Sequence, residues 1–116
     1  MRTIIAGSSR CPSVTIETVA RAVRECGWDP SLVISGAAMG ADRAGELWAE
    51  ANEIPILRCP ANWDLHGRSA GIIRNTEMAG KADALIALWD GKSRGTYHMI
   101  NVAQSKGLRV YVHKLT

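Results

Sequence analysis

The chain has 116 residues, of which 47% are hydrophobic and 22% charged, and its formal net charge is +3. This balance is ordinary for a folded protein, and the length suffices for a single domain over residues 1–116 that needs no disulfide or metal staple. No apolar run approaches the roughly 20 residues that cross a bilayer, and no secretory leader precedes the first strand-like residues, so we expect a cytoplasmic protein without a membrane segment.

The cysteine, histidine and charge patterns indicate which metals, cofactors and partners to expect. The three cysteines are odd in number and lack zinc-site spacing, and the three histidines are scattered, so we expect neither a metal nor a cofactor. The basic residues are dispersed, which argues against nucleic acid as a partner but fits a few arginines aimed at one small anion. Four tryptophans and no phenylalanine leave a homo-oligomer open.

Strand-like and helix-like stretches alternate along the chain. In chain order they predict a strand at 3–7, a helix at 14–26, a strand at 31–35, a helix at 41–52, a strand at 54–59, a loop at 61–67, a helix at 68–80, a strand at 83–89, a helix at 96–106 and a strand at 108–112. Ser13 or Thr15 could cap the first helix, and Gly27 ends it. Unbroken apolar strands are typical of parallel sheets covered on both faces, so we predict an α/β, doubly wound, mainly parallel five-stranded sheet that is Rossmann-like.

A binding site is predicted at one edge of this sheet. Ligands of open parallel sheets bind beyond the carboxyl ends of the strands, where the strand order reverses. The segments that leave those ends are rich in glycine and small polar residues, and they are 7–10, 35–42, 61–67 and 90–96. The connections at the opposite edge are short and less rich in such residues. This difference between the two edges indicates that the site lies at the carboxyl edge.

The turn Ser35–Asp42 joins the second strand to the second helix. Gly36 and Gly40 would allow close backbone approach, and a helix beginning near Gly40 would offer N–H groups to a phosphate. The alternative interpretation is a tight strand–helix connection with no ligand. Asp42 either complements the helix dipole, worth about 0.3–1 kcal/mol, or accepts a hydrogen bond from a ligand hydroxyl such as that of a ribose.

Further candidate contacts lie in the neighbouring segments. Arg10 could hold a phosphate through its planar guanidinium, and Trp63 could either stack on a base or cover the core. Thr96 could cap the last helix or bind a phosphate oxygen. The complete set of predicted ligand-binding residues is Gly7, Ser8, Ser9, Arg10, Gly36, Ala37, Gly40, Asp42, Trp63, Arg74, Asn75, Ser93, Gly95 and Thr96.

Five of these segments, taken in order, resemble the YspA-like (cpYpsA-related) branch of the SLOG superfamily, named for its DprA-like and Lonely-guy-like members. The matching motifs are Gly7-Ser8-Ser9-Arg10, Ser35–Asp42, Trp63, Arg74-Asn75 with Met78, and Ser93–Thr96. The resemblance covers nearly the whole chain. It implies a Rossmann-like fold that binds nucleotides or nucleotide-derived ligands, with no common activity assigned.

The chain departs from the family pattern at two positions. Ala37 replaces the second glycine of the turn, and Met39 replaces a residue that is usually basic. Each change removes something that a phosphate would use, either backbone freedom or positive charge. Met99 stands where Lonely-guy phosphoribohydrolases carry a glutamate, so we do not expect hydrolysis of nucleotide monophosphates by their mechanism.

The leading hypothesis is therefore a sensor or accessory module that binds a nucleotide or nucleotide-derived ligand. The first alternative is an enzyme, an N-glycosidase or nucleoside deoxyribosyltransferase-like protein. Asp42, or else Asp64 or Asp90, would supply its carboxylate. The second alternative is a DNA-processing accessory protein, which the weak and dispersed positive charge disfavours.

Overall fold

The computed structural model describes residues 1–9 and 13–115, and its five strands form one parallel sheet in the order β3-β2-β1-β4-β5. The strands are β1 (Arg2–Gly7), β2 (Leu32–Ser35), β3 (Ile56–Arg58), β4 (Ala84–Trp89) and β5 (Arg109–Lys114). The helices are α1 (Ile16–Cys26), α2 (Ala41–Ala51), α3 (Trp63–His66), α4 (Ala70–Lys81) and α5 (Arg94–Ser105), with a 3₁₀ turn at Gly67–Ser69. The predicted doubly wound, Rossmann-like α/β fold is confirmed. None of the helices described is long and apolar enough to cross a bilayer.

Two apolar layers cover the sheet, one on each face. Ile4 of β1 packs in the layer that α4 and α5 close, and its neighbour Ile5 packs in the layer that α1 and α2 close. Successive residues of a strand point to opposite faces, so a strand covered on both sides must be apolar throughout. The edge strands β3 and β5 keep partly exposed residues, because each has a neighbouring strand on one side only.

The strand order reverses between β1 and β4, which pair from Thr3 with Ala84 to Gly7 with Leu88. The earlier helices lie on one face and the later ones on the other. The chain segments that follow β1 and β4 therefore lead to helices on opposite faces of the sheet, which leaves a crevice at the carboxyl edge. This crevice is the place at which the sequence predicts a site.

The structure settles one open local prediction and corrects two others. Of the two candidate caps for α1, it is Thr15 and not Ser13 whose side chain accepts the Thr18 N–H. The segment predicted as a loop at 61–67 contains the one-turn helix α3, whose start is capped by Asn62. Helix α5 begins at Arg94 because Ser93 Oγ accepts the Thr96 N–H, so the prediction that Thr96 caps this helix is wrong.

Candidate functional site

A cleft of about 420 Å³ opens at the crevice between β1 and β4. Nine of the predicted ligand-binding residues line it, namely Gly7, Ser9, Asp42, Trp63, Arg74, Asn75, Ser93, Gly95 and Thr96. Four others do not line it, namely Ser8, Gly36, Ala37 and Gly40. Arg10 lies outside the described residues. The volume is within the roughly 300–1,000 Å³ that small-molecule sites occupy.

Arg74 and Asn75 of α4 join the two turns that form opposite walls of the cleft. Arg74 Nη1 donates to the Gly36 carbonyl at 2.6 Å, and Arg74 Nε donates to Asn75 Oδ1 at 3.1 Å. Asn75 Nδ2 in turn donates to the Gly95 carbonyl at 3.3 Å and lies 3.1 Å from His98 Nδ1. The two side chains therefore fix the distance between the turn after β2 and the start of α5.

Atoms of the protein itself fill the space beside Gly36 and Gly40. A Cβ at Gly36 would lie 2.5 Å from Arg74 Nη1 and 2.8 Å from Asp42 Oδ2. A Cβ at Gly40 would lie 2.8 Å from the Ser8 carbonyl oxygen. In this structure both glycines allow close packing within the protein, as a tight strand–helix connection requires.

Three backbone amides of the turn after β2 are also engaged within the protein. The Ala37 N–H donates to Ser35 Oγ, and the Ala38 N–H donates to Asp42 Oδ2 at 3.3 Å. The Ala41 N–H faces the Ser8 carbonyl at 3.4 Å. The Asp42 carboxylate thus sits where the sequence suggested a phosphate, and a phosphate at the same amides would meet its negative charge.

Asp42 is a buried carboxylate in the wall of the cleft, with only 5% of its surface exposed. Burial raises the pKa of Asp42 to about 6. The Ala38 hydrogen bond, the charge of Arg74 and the Gly7 amide oppose this rise only in part. The group therefore titrates close to neutral pH, where a carboxyl can either accept a hydrogen bond or carry a proton.

Three arginines give the cleft a net positive charge. Of the described residues that line it, Arg68, Arg74 and Arg94 are cationic and Asp42 alone carries a carboxylate. Arg68 lies in the 3₁₀ turn, Arg94 begins α5, and both are exposed. Across residues 1–9 and 13–115, no carboxylate lies within ion-pair distance of these three arginines. The balance of charge favours an anionic ligand.

The remaining surface of the cleft is largely apolar. Trp63 is 60% exposed and belongs to neither core layer, so it does not cover the core. Its ring lies beside Gly71, where a Cβ would be 3.6 Å from the indole. Met99, in the position of the Lonely-guy glutamate, is buried and lines the same cleft. A flat ring beside apolar groups suits an aromatic base.

Arg68, Ile72, Arg94 and His98 are among the residues that line the cleft but are absent from the sequence-based set. Helical spacing could have found all of them except Arg94. Arg68 and Ile72 precede Asn75 by about two turns and one turn, and His98 follows Gly95 by about one turn, so each shares a helix face with a predicted residue. Arg94 lies between the predicted residues Ser93 and Gly95 in the sequence.

The other predicted residues have identifiable roles in the structure. Ser8 is buried, and its Oγ accepts the Asp90 N–H at 3.2 Å, which joins the loops after β1 and β4. Asp64 is exposed on α3. Asp90 Oδ1 accepts hydrogen bonds from the Lys92 and Ser93 amides. Neither of these two carboxylates lines the cleft, so Asp42 is the candidate carboxylate that remains.

Ala37→Gly is expected to stabilise the protein by about 0.5–1 kcal/mol. Ala37 has a φ of 59°, which is strained for a residue with a Cβ. The Ser35 hydroxyl holds it there and is itself bonded to buried Glu46 at 2.6 Å. Urea unfolding measures the change, and Ala38→Gly, at a residue without positive φ, is the control that should lose stability. Equal losses in both variants would contradict the strain.

Comparison with known proteins gives three matches. Residues 1–66 match the family described as YspA, cpYpsA-related SLOG (YAcAr). Gene 61 protein of Mycobacterium phage D29 is 38% identical over an alignment of 86 residues, and the match covers 68% of this chain and 68% of that protein. The X-ray structure of DNA processing protein A (DprA) from Streptococcus pneumoniae superposes with a TM-score of 0.78 at 16% identity. That match covers 99% of this chain but 50% of the DprA chain, so this chain spans half the length of DprA and shares its fold.

Proposed function

We propose that this chain, which belongs to the YspA, cpYpsA-related SLOG family, binds a nucleotide or a nucleotide-derived ligand in the cleft at the carboxyl edge of its sheet. The observation that carries the proposal is the composition of that cleft. An exposed tryptophan, a buried carboxylate and two exposed arginines line one cavity of about 420 Å³ and come from different elements. These groups match the aromatic, hydroxyl and anionic parts of a nucleotide.

Each part of the ligand has its own partner in this arrangement. Trp63 offers its ring to the base, and Ile72 adds apolar surface to the same cleft. Asp42 accepts a hydrogen bond from a ribose hydroxyl. Arg68 and Arg94 attract the phosphate, which the charge of Asp42 repels. The opposed charges thus orient the ligand as well as hold it.

Gly95→Ala is expected to weaken nucleotide binding about tenfold or more without loss of stability. A Cβ at Gly95 meets no atom within 4 Å, although the residue lines the cleft. Alanine also favours the first turn of α5 more than glycine does. Any affinity that is lost therefore reflects a clash with the ligand. Calorimetric titration with AMP, ADP-ribose and a dinucleotide measures it, beside thermal unfolding.

Gly80→Ala is the matched control for this experiment. Gly80 is helical and has no atom within 4 Å of an added Cβ, but it lies outside the cleft. Its variant should bind as the wild type does. If the wild type binds none of the panel, the proposed function fails. If Gly95→Ala binds as well as Gly80→Ala, the ligand does not reach the start of α5.

The raised pKa of Asp42 favours one second candidate, an enzyme that cleaves or transfers at the N-glycosidic bond of a nucleotide. A carboxyl with a pKa of about 6 beside a ribose can support positive charge developing at the anomeric carbon or carry a proton. Chromatography of nucleotides and deoxynucleosides incubated with the protein tests this candidate. Base release that Asp42→Asn abolishes would replace the binding module with an enzyme.

The DNA-processing alternative is supported by fold alone, because the likeness to DprA is 16% in identity and covers half of that chain. A gel shift with single-stranded DNA that weakens as salt rises is the result that would favour it over a nucleotide ligand.

A further inference from the structure

The hydrogen bonds around Asn75 fix which end of its amide faces His98. Arg74 Nε can only donate, so the Asn75 atom 3.1 Å away must be the carbonyl oxygen Oδ1. The amide nitrogen Nδ2 therefore faces the other way, toward the Gly95 carbonyl at 3.3 Å and His98 Nδ1 at 3.1 Å. The Gly95 carbonyl can only accept, so Arg74 and Gly95 independently require the same orientation of Asn75.

This orientation determines where neutral His98 carries its proton. Asn75 Nδ2 has two hydrogens and no acceptor capacity. The Gly95 carbonyl takes one hydrogen and His98 Nδ1 faces the other. His98 Nδ1 must therefore accept, which leaves the proton of the neutral ring on Nε2. A relay of directed hydrogen bonds thus runs from the Arg74 guanidinium through the Asn75 amide to the imidazole.

We propose that His98 determines ligand specificity in the cleft, because Asn75 holds it as the Nε2–H tautomer that donates to an acceptor atom of the ligand. The inference rests on the proposed nucleotide function and adds a contact to it. His98 is half-buried and lines the cleft one turn beyond Arg94. Since Nδ1 is engaged with Asn75, Nε2 is the polar atom that the ring has left for a ligand.

A fixed neutral donor selects differently from an arginine. Arg68 and Arg94 attract any anion over several ångströms, whereas Nε2–H offers one hydrogen in one direction. A ligand oxygen or ring nitrogen that accepts this hydrogen satisfies it. A ligand with an amino group at the same place would point its own N–H at the Nε2–H of His98. We expect such a ligand to bind about tenfold more weakly than one with an acceptor there. The shared chemistry is thus an acceptor atom, supplied by either the phosphate or the base.

Nitrogen-15 NMR of the ligand-free, histidine-labelled chain tests the tautomer directly. The wild type should show a protonated Nε2 and an unprotonated Nδ1 at His98 in the neutral ring. Asn75→Asp should reverse this assignment, because a carboxylate in place of the amide nitrogen requires an N–H from Nδ1. A wild-type ring with its proton on Nδ1 would overturn the proposal, whatever the protein binds.

Titration with AMP, adenosine and inorganic phosphate tests the donor role in the same samples. A perturbed Nε2 signal with AMP and phosphate identifies a phosphate acceptor, and one with AMP and adenosine identifies a base acceptor. Either result supports the proposal. If AMP binds without moving that signal, the donor role is wrong and the proposed function stands. If none of the three binds, the titration is repeated with ADP-ribose and a dinucleotide, and the donor role and the proposed function fall together only if these do not bind either.

Substitutions of His98 provide the matched comparison. Glutamine places an amide N–H near the position of Nε2, whereas asparagine places its amide near Nδ1 and phenylalanine keeps only the shape of the ring. We expect His98→Gln to bind AMP within about threefold of the wild type, and His98→Asn and His98→Phe to bind about tenfold more weakly. If His98→Phe binds AMP as tightly as the wild type, the donor role is overturned.

Discussion

At pH 8 the Asp42→Asn variant is expected to be more stable than the wild type by up to about 3 kcal/mol, and to lose most of its affinity for a nucleotide. Burial raises the pKa of Asp42 from 3.8 to about 6. Each pH unit of difference between the folded and unfolded states is worth about 1.4 kcal/mol. Asparagine has nearly the same shape but no charge to bury, so this destabilisation disappears.

The pH dependence of this effect has a definite sign. The folded state binds the Asp42 proton more tightly than the unfolded state does, since the folded pKa is the higher one. Protonation of Asp42 therefore contributes to the free energy of unfolding. This contribution is fully present below about pH 4 and is lost as pH rises through about 6. The advantage of the variant should therefore be absent near pH 4, grow through pH 5 and 6, and level off above about pH 7. Urea unfolding of both proteins at each pH measures it.

Asp83→Asn provides a control of opposite sign. A hydrogen-bonded ion pair with Arg2 lowers the pKa of Asp83 to about 2. The stability from Asp83 is thus present above about pH 4 and lost as pH falls, so this variant should be the less stable one at pH 8. Asp83 lies outside the cleft, and binding should not change. Parallel pH profiles for Asp42→Asn and the wild type would contradict the raised pKa, and unchanged affinity would contradict the ribose contact.

Two residues of the turn Ser35–Asp42 have conformations or environments that are unfavourable for their residue type. Asp42 buries a carboxylate at a cost in stability, and Ala37 holds a φ of 59° that favours glycine. Selection for stability alone would have removed both features, each by a single substitution. Such conflicts between local preference and fold tend to gather at functional sites. Their concentration on one turn beside the cleft therefore supports a binding role.

Features set by short stretches of sequence were predictable, whereas those set by distant contacts were not. The two-sided burial of β1 and β4 shows in their unbroken apolar runs, and Gly27 ends α1 in the left-handed conformation. Helix α3 was missed because four residues are too short to show an apolar period. The start of α5 was placed late because two hydroxyl residues, Ser93 and Thr96, compete for the cap three positions apart.

Ligands of open parallel sheets bind at the carboxyl ends of the strands, and this rule predicted which loops meet at the site. It could not assign the role of each residue there. Whether a ligand or the protein fills the space beside Gly36 depends on Arg74, 38 positions further along the chain. The pKa of Asp42 depends on how completely several elements bury it. The tautomer of His98 depends on the orientation of Asn75. Each is a property of tertiary packing that no local pattern encodes.

Gly7→Ala is expected to lower the free energy of unfolding by about 3 kcal/mol or more, or to prevent folding. Gly7 ends β1 and pairs with Leu88 of β4. A Cβ at Gly7 would lie 2.1 Å from the Leu88 carbonyl oxygen and 2.9 Å from the Ala41 Cβ. Neither atom is the end of a flexible side chain, so the two central strands would have to separate. Urea unfolding followed by circular dichroism measures the loss.

Two other glycines calibrate this result. A Cβ at Gly45 would lie 2.7 Å from Ile5 Cγ2, a side-chain atom that can shift, so Gly45→Ala should lose less. Gly80→Ala meets no atom within 4 Å and should gain about 0.5–1 kcal/mol of helix stability. If Gly7→Ala is instead more stable than Gly45→Ala, β1 and β4 can separate at low cost. The ends of β1 and β4 beneath the cleft would then be adaptable. A ligand would have to order them on binding, instead of entering a crevice that is already rigid.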